Sequence, residues 1–503
     1  MFIRENKNRS GTISIQVVEK IKGKNKVVFT AGSGVTPVEL ELLKIKAQKF
    51  IEDQSGLLPL FSDQQDLIVQ TFVASISNSH LRIVGSQRVL GPVFDQVFPN
   101  ITKPLFKDLV LCRIIYPGSK LRTQSYLSRH FNKSVSAQTI YRSLDGLDDE
   151  LKKQVEDCTF QRAKKATHTG ELSLVFYDMT TLYFETESED DLRKIGYSKD
   201  GKHQHPQIMI GLLVNLEGYP VAYDVFEGNT SETKTLIPVM ERLIARFAIK
   251  KPVVIADAAL LSKSNLQSLQ DNGYQYILGG RIKNESEAIK KNILALAINA
   301  DQPKELDHPY GRLVVSYSEK RSAKDQYNRQ KGLKRLEQKV KSNKLTKEAI
   351  NNRGYNKYLI LEGETKVTID YQKYKNDQIW DGLKGFVTNT KLTPEKIIGS
   401  YGNLWQVEKA FRMSKSDLRF RPIFHRKETR IKAHLIICFA SYALCKELEA
   451  IIKMNKIDLS VQKAITELND VQELTYRLPK SKQLKHHLLS PNDIQQQLLA
   501  MKI

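Results

Sequence analysis

Three acidic residues of this 503-residue sequence could do chemistry together: Asp178 inside an apolar, strand-like stretch, Asp257 at the end of another, and Glu408 on a helical segment beside Lys409, Arg412 and Lys415. Burying an isolated carboxylate is costly, so Asp178 calls for a compensating cation. Two-metal phosphoryl transfer supplies one. Two or three carboxylates hold hard cations roughly 4 Å apart, which activate the attacking oxygen and stabilise the leaving one. Two of the acids also have plainer readings. Asp257 could cap a following helix, and Glu408 could form a surface i, i+4 pair with Arg412 worth a few tenths of a kcal/mol.

Around Glu408 the spacing is suggestive. Tyr401, Glu408 and Lys415 recur every seven residues, two helical turns each, and so share one face of a helix. Between Lys409 and Lys432 nine Lys or Arg residues face few acids, which reads as a phosphate track, with a solvated helix face as the alternative. Trp380 and Trp405 are the only tryptophans; either could stack a flipped base or simply fill the core. Gly196 to Lys202 imitates a phosphate-binding loop, but His203 replaces the needed Ser or Thr and no apolar strand precedes it. His203 and His205 lack cysteine partners for a metal site, and Glu185 to Asp191 reads as a solvated loop.

Composition points the same way. Lys and Arg outnumber Asp and Glu by 78 to 56, and the net charge of +22 favours a polyanionic partner, nucleic acid first. The four cysteines form no C-x-x-C pair, which argues against a disulfide framework or zinc knuckle. No signal peptide is evident and Ile436 to Leu444 is too short to span a bilayer, so the expected location is the cytoplasm, in association with the nucleoid.

The elements that must position these residues follow from periodicity. Ser14 to Thr30 reads as a hairpin ahead of a helix near Val38 to Ile51. Helical segments at Leu121 to Phe131 and Ser136 to Leu147 have the spacing of a helix-turn-helix, which would turn Gln138, Thr139 and Arg142 toward a DNA groove; ordinary helix packing is the alternative. From Leu172 three strands are followed by helix, strand, helix, strand. This βββαβαβ order is that of a ribonuclease H-like domain, in which the first and fourth strands are neighbours about 4.8 Å apart, so that Asp178 and Asp257 can converge. Arg281 to about Phe386 reads as a mostly β insertion that also holds a densely basic helix near Ser322 to Lys341. Pro394 to Lys415 and Glu428 to Leu448 read as helices, and the last fifty residues as a helical tail. The expected fold class is thus α/β. Its expected domains are an N-terminal accessory unit at 1–100, a helical DNA-binding unit at 101–168, a ribonuclease H-like first part at 169–280, a β-rich insertion at 281–386, the second part at 387–450 and the tail at 451–503.

The segment Tyr401 to Glu408, continued to Lys415, resembles the Tyr-x2-Arg-x3-Glu-x6-Lys signature of bacterial insertion-sequence transposases of the IS-four superfamily, especially the IS-sixteen-thirty-four type. Leu404 stands where the signature has Arg, leaving Arg412 or Arg419 as substitutes. The resemblance extends over nearly the whole chain. It takes in Tyr177 to Thr181, Ala256 to Ala258 with Leu261 to Lys263, and Asp381-Gly382 through Thr388-Asn389. It implies a transposase that cleaves and joins DNA strands, with Asp178, Asp257 and Glu408 as catalytic, Mg²⁺-holding residues (Mn²⁺ as a substitute). Tyr401, Arg412, Lys415, Arg419 and Arg421 would lie along DNA, and a homodimer would pair terminal inverted repeats and capture target DNA. The rival expectations are a transposase-derived DNA-binding protein that no longer cuts and a ribonuclease H-like nuclease that only hydrolyses.

Overall fold

The computed structural model describes all residues except 56–63, 168–171, 199–200, 232–233, 248–249, 259–261, 297, 299–301, 343–344, 346–349, 352–353, 363–365 and 479–480. Leu261 of the second-acid fragment therefore lies outside the described residues. The chain divides into two units: Met1–Pro92 with Leu121–Val135 and Ile451–Ile503, and Val93–Lys120 with Ser136–Ala450.

In the first unit, strands Phe2–Lys7, Ile13–Ile21 and Lys24–Gly34 form an antiparallel sheet. Ile15, Val17 and Ala31 bury against helix Pro37–Ser55, where Phe29 stacks on Phe50 with ring centroids 4.4 Å apart. The hairpin and helix are as expected; a third strand precedes them. The C-terminal segment differs from the expected helical tail. Between helices Val461–Asn469 and Asp493–Leu499 run two strands, Gln472–Arg477 and Leu484–Leu488, the first also pairing with Leu81–Ile83. That partner is almost 400 residues away, so local periodicity carried no trace of it.

The second unit is organised by one eight-stranded sheet. Its strands are β1 (Leu174–Tyr183), β2 (Gln207–Val214), β3 (Pro220–Glu227), β4 (Val253–Ala256), β5 (Tyr276–Gly280), β6 (Lys304–His308), β7 (Gly311–Tyr317) and β8 (Leu383–Thr388), in the spatial order β6-β7-β8-β5-β4-β1-β2-β3. β4 runs parallel to both β1 and β5, and every other pairing is antiparallel. The first and fourth strands of the expected series are thus neighbours. Val175, Tyr177 and Met179 of β1 and Val254 and Ala256 of β4 bury into the core on one face with helix α1 (Leu236–Phe247). A second helix, α2 (Lys263–Asp271), follows β4.

Residues 281–386 contain more helix than expected, and their strands do not form a separate β domain. β6 and β7 extend the main sheet through β8, while Leu359–Glu362 and Lys366–Ile369 form a two-stranded ladder of their own. The basic segment is helix α3 (Glu319–Lys341), capped by the Ser318 side chain. The expected helix from Pro394 to Lys415 is broken into α4 (Pro394–Gly402), α5 (Trp405–Arg412) and a π-helical turn at Met413–Asp417. Helix α6 (Glu428–Met454) follows. Among the described residues no helix is long and apolar enough to cross a membrane.

Candidate active site at the end of β4

Strand alternation decides which side chains can meet. With Tyr177 and Met179 committed to the core, Phe176, Asp178 and Thr180 fall on the opposite face of β1. The offset that pairs Phe176 with Ile255 sets Asp257 opposite Asp178, one residue past the end of β4 and on the same face. Neighbouring strands run about 4.8 Å apart. Because β4 has only four residues, β1 outruns it, and the edge left uncovered begins beside Asp178. Asp178 is half-buried, with an oxygen accepting from the Met179 N–H at 2.7 Å.

Asp257 is exposed and accepts from the Ala258 N–H at 2.6 Å and from the Tyr401 hydroxyl at 3.3 Å. It is not the cap of α2: the Ser262 hydroxyl fills that role, accepting from the Asn265 N–H. Tyr401 reaches Asp257 by crossing β5 at Gly279, where a Cβ would lie 2.5 Å from its hydroxyl oxygen. Its ring meets Phe386 edge-on at 4.9 Å, and the Lys384 ammonium sits 4.3 Å from the ring centroid. Burial raises the Tyr401 pKa, and the charges of Asp257 and Glu408 raise it further, so the hydroxyl stays protonated and donates. Burial and Arg321 lower the Lys384 pKa, opposed by Asp257 and Glu408.

Glu408 is exposed on α5, which packs on β1 and β2, and makes no ion pair with Arg412 among the described residues. Asp257, Tyr401 and Glu408 line one cleft of about 990 Å³, together with half-exposed Trp405. Trp380 also borders the cleft but is 9% exposed and belongs to the core. Asp178 is not part of that lining. Among the described residues no group of three or more His, Cys, Asp or Glu side chains is gathered to hold a metal ion. The sheet thus brings the two aspartates into register, and Glu408 shares the cleft with Asp257, without the three closing into a ligand shell. The donor chemistry of the pair suits a hard divalent cation, since both are carboxylates and strand alternation assigns them to one face.

The remaining expected contacts are dispersed. The π-helical turn interrupts the two-turn spacing between Glu408 and Lys415; the wider i→i+5 winding carries Lys415 over β1 and β2, beside Thr180 and Leu212. Arg412 and Arg419 are exposed, Arg419 with a left-handed backbone (φ +47°), and Arg421 lies 5.9 Å from the Tyr183 ring. The basic track is partly neutralised: Lys409 pairs with Glu449, Arg430 with Asp145 and Lys432 with Glu428. Gln138 and Arg142 are exposed on helix Ala137–Asp145, which belongs to the second unit, whereas most of the preceding helix, Lys120–His130, belongs to the first. Asp190 is more than a solvated loop acid, since it accepts from the Arg193 N–H and pairs with the buried Arg193 guanidinium.

Sequence reasoning missed several cleft residues: Arg281 and Lys283 after β5, Arg321 and Asn328 on α3, and Lys384 on β8. The density of cations on α3 was visible in the sequence; its approach to the cleft was not. The Asp381–Asn389 fragment proves architectural at both ends. Asp381 pairs with buried Arg329 at 2.6 Å, and Thr388 and Asn389 bind backbone groups of residues 274 and 276, holding β8 to β5.

Comparison with solved structures finds the piggyBac transposase synaptic complex with hairpin DNA (11% identity, 76% of each chain covered, TM-score 0.38). It also finds the Mos1 transposase paired-end complex with left transposon end (9% identity, 47% of this chain and 76% of that chain, TM-score 0.16). Among curated proteins no relative matches the chain. The family described as "Transposase DDE domain" matches residues 169–444, a span that includes Asp178, Asp257 and Glu408; by that match the chain belongs to the DDE transposase family.

Proposed function

We propose that this chain is an insertion-sequence transposase of the IS-four, IS-sixteen-thirty-four type that cuts an element's terminal strand and joins the freed 3′ end to target DNA on a ribonuclease H-like domain. The observation that carries the reading is the parallel register of β1 against β4, Phe176 opposite Ile255, which continued by two residues would set Asp178 beside Asp257. Asp178 and Asp257 would hold the divalent cations, with Glu408 completing the shell when DNA is bound. Mg²⁺, or Mn²⁺ in its place, would supply activation of the attacking oxygen and stabilisation of the leaving one. Protonated Tyr401 orients Asp257 by donating to it. Lys384 and Arg321 counter the charge of the phosphate entering the cleft. Trp405, 49% exposed beside Glu408, offers a stacking face to a displaced base. Lys415, Arg412, Arg419 and Arg421 follow the DNA beyond α5, and a homodimer pairs two ends.

The test incubates purified protein with duplexes carrying the inverted repeats that flank its reading frame, in Mg²⁺, and follows cleavage and strand transfer. Both products are expected, and Asp257→Ala should abolish them. Binding without cleavage would favour a DNA-binding descendant, and cleavage without joining a nuclease.

A further inference from the structure

Helix α3 carries nine Lys and Arg residues against three acids, yet only Arg321, Asp325, Asn328 and Arg329 near its N-terminal end line the cleft. Its inner face is fixed by Arg329, Gly332 and Leu336, which are buried, with Leu336 in a small core beside Tyr358 and Leu359. At 100° per residue, Lys320, Lys324, Lys331, Lys334, Arg335 and Lys341 all fall within about 60° of one line on the opposite side. All six are exposed, and among the described residues none forms an ion pair. The acids lie off this line: Glu319 and Glu337 on a flank, where Glu337 accepts from the Tyr371 hydroxyl, and Asp325 toward the cleft. Tyr327, 62% exposed, stands in the middle of the stripe, with the Lys331 ammonium 5.8 Å from its ring.

Six like charges held unpaired on one rigid face repel one another unless a polyanion neutralises them. From Lys320 to Lys341 the stripe spans about 32 Å at 1.5 Å per residue, or about nine steps of a DNA strand at 3.4 Å each. The geometry points to a docking track: the outer face of α3 binds the phosphate backbone of the terminal DNA duplex whose end enters the cleft. This inference rests on the transposase reading above. The occupant is the element's end and not the target, because the helix starts at the cleft wall beside Arg321, where the strand to be cut must already lie before any target is captured.

The test compares full-length protein with a variant in which all six residues are replaced by Gln, leaving Arg321 and the three acids intact. Fluorescence anisotropy on a labelled terminal duplex is read from 50 to 300 mM salt, without metal. Each lost phosphate contact removes about 0.9 from the slope of log K against log salt. The variant should bind at least tenfold more weakly, with a slope shallower by about 3 to 5. An all-Arg version of the six should restore wild-type binding, which a folding defect would not predict. An unchanged slope and affinity would overturn the track while leaving the transposase reading intact, as would a loss confined to target DNA in a strand-transfer assay with pre-cut ends. Failure of the wild-type protein to bind the terminal duplex would instead sink the transposase reading, and the track with it.

Discussion

Gly279→Ala probes how closely Tyr401 passes over the sheet. Gly279 has no unusual backbone angle, so the cost of a methyl group there is purely steric. The new carbon would lie 2.5 Å from the Tyr401 hydroxyl oxygen and 3.1 Å from the Ala258 nitrogen, whereas ordinary contacts begin at 3.4 Å. Tyr401 must therefore retreat by about 0.9 Å, and overpacking of this kind costs about 1–3 kcal/mol. The same retreat breaks the 3.3 Å hydrogen bond to Asp257 and shifts that carboxylate. A misplacement near 1 Å at a reacting centre lowers rates by about 100-fold. Tyr401→Phe alone should cost about 1 kcal/mol through the lost hydrogen bond. In the double variant the clashing oxygen is gone, so the two penalties should fall short of their sum by about 1 kcal/mol. Urea denaturation of the four proteins reads the stability terms, and single-turnover cleavage of a terminal duplex reads the rate. Penalties that add within about 0.3 kcal/mol would refute the crossing of Tyr401 over Gly279.

Other perturbations give equally definite expectations. Arg329→Ala leaves Asp381, whose side chain is only 10% exposed, without its partner; a loss of about 3 kcal/mol is expected in denaturant titration. Burial, then Lys120, Arg113 and Arg430, lower the pKa of His425 from the usual 6.5 to about 4, opposed by Asp145, and burial holds fully enclosed His434 well below 6.5. Unfolding lets both bind protons, so stability is fully present above pH 6.5 and is lost as pH falls toward 4. His425→Asn with His434→Asn should flatten that slope in thermal melts across the same range. With Trp380 in the core and Trp405 half exposed, adding terminal DNA should quench mainly Trp405. Trp405→Phe should therefore abolish most of the emission change while shifting stability by less than about 1 kcal/mol.

The order of strands from Leu174 to Gly280 was readable because each is a short apolar run ended by a turn or cap, and alternation in β1 committed Tyr177 and Met179 to the core. That same alternation exposed Asp178 as the carboxylate needing an explanation. What local patterns could not carry was pairing at a distance. β6 and β7 continue the main sheet because β8, some seventy residues later, lies between them and β5. The break at Asn403 and the π-helical turn after Arg412 were hidden because the residues there are compatible with an unbroken helix, and they change where Lys415 points. Lys384 went unnoticed for a related reason. Its place beside Tyr401 depends on the antiparallel pairing of β8 with β5, which joins residues more than a hundred positions apart.

In the proposed reaction Asp178, Asp257 and Glu408 share divalent cations once DNA is in place. Mn²⁺ binding to the protein–DNA complex, titrated by electron paramagnetic resonance for wild type and for Asp178→Asn, Asp257→Asn and Glu408→Gln, tests it most directly. Each substitution should weaken Mn²⁺ binding by at least tenfold while leaving DNA affinity intact. Wild-type Mn²⁺ affinity in any of the three variants would contradict a shared site.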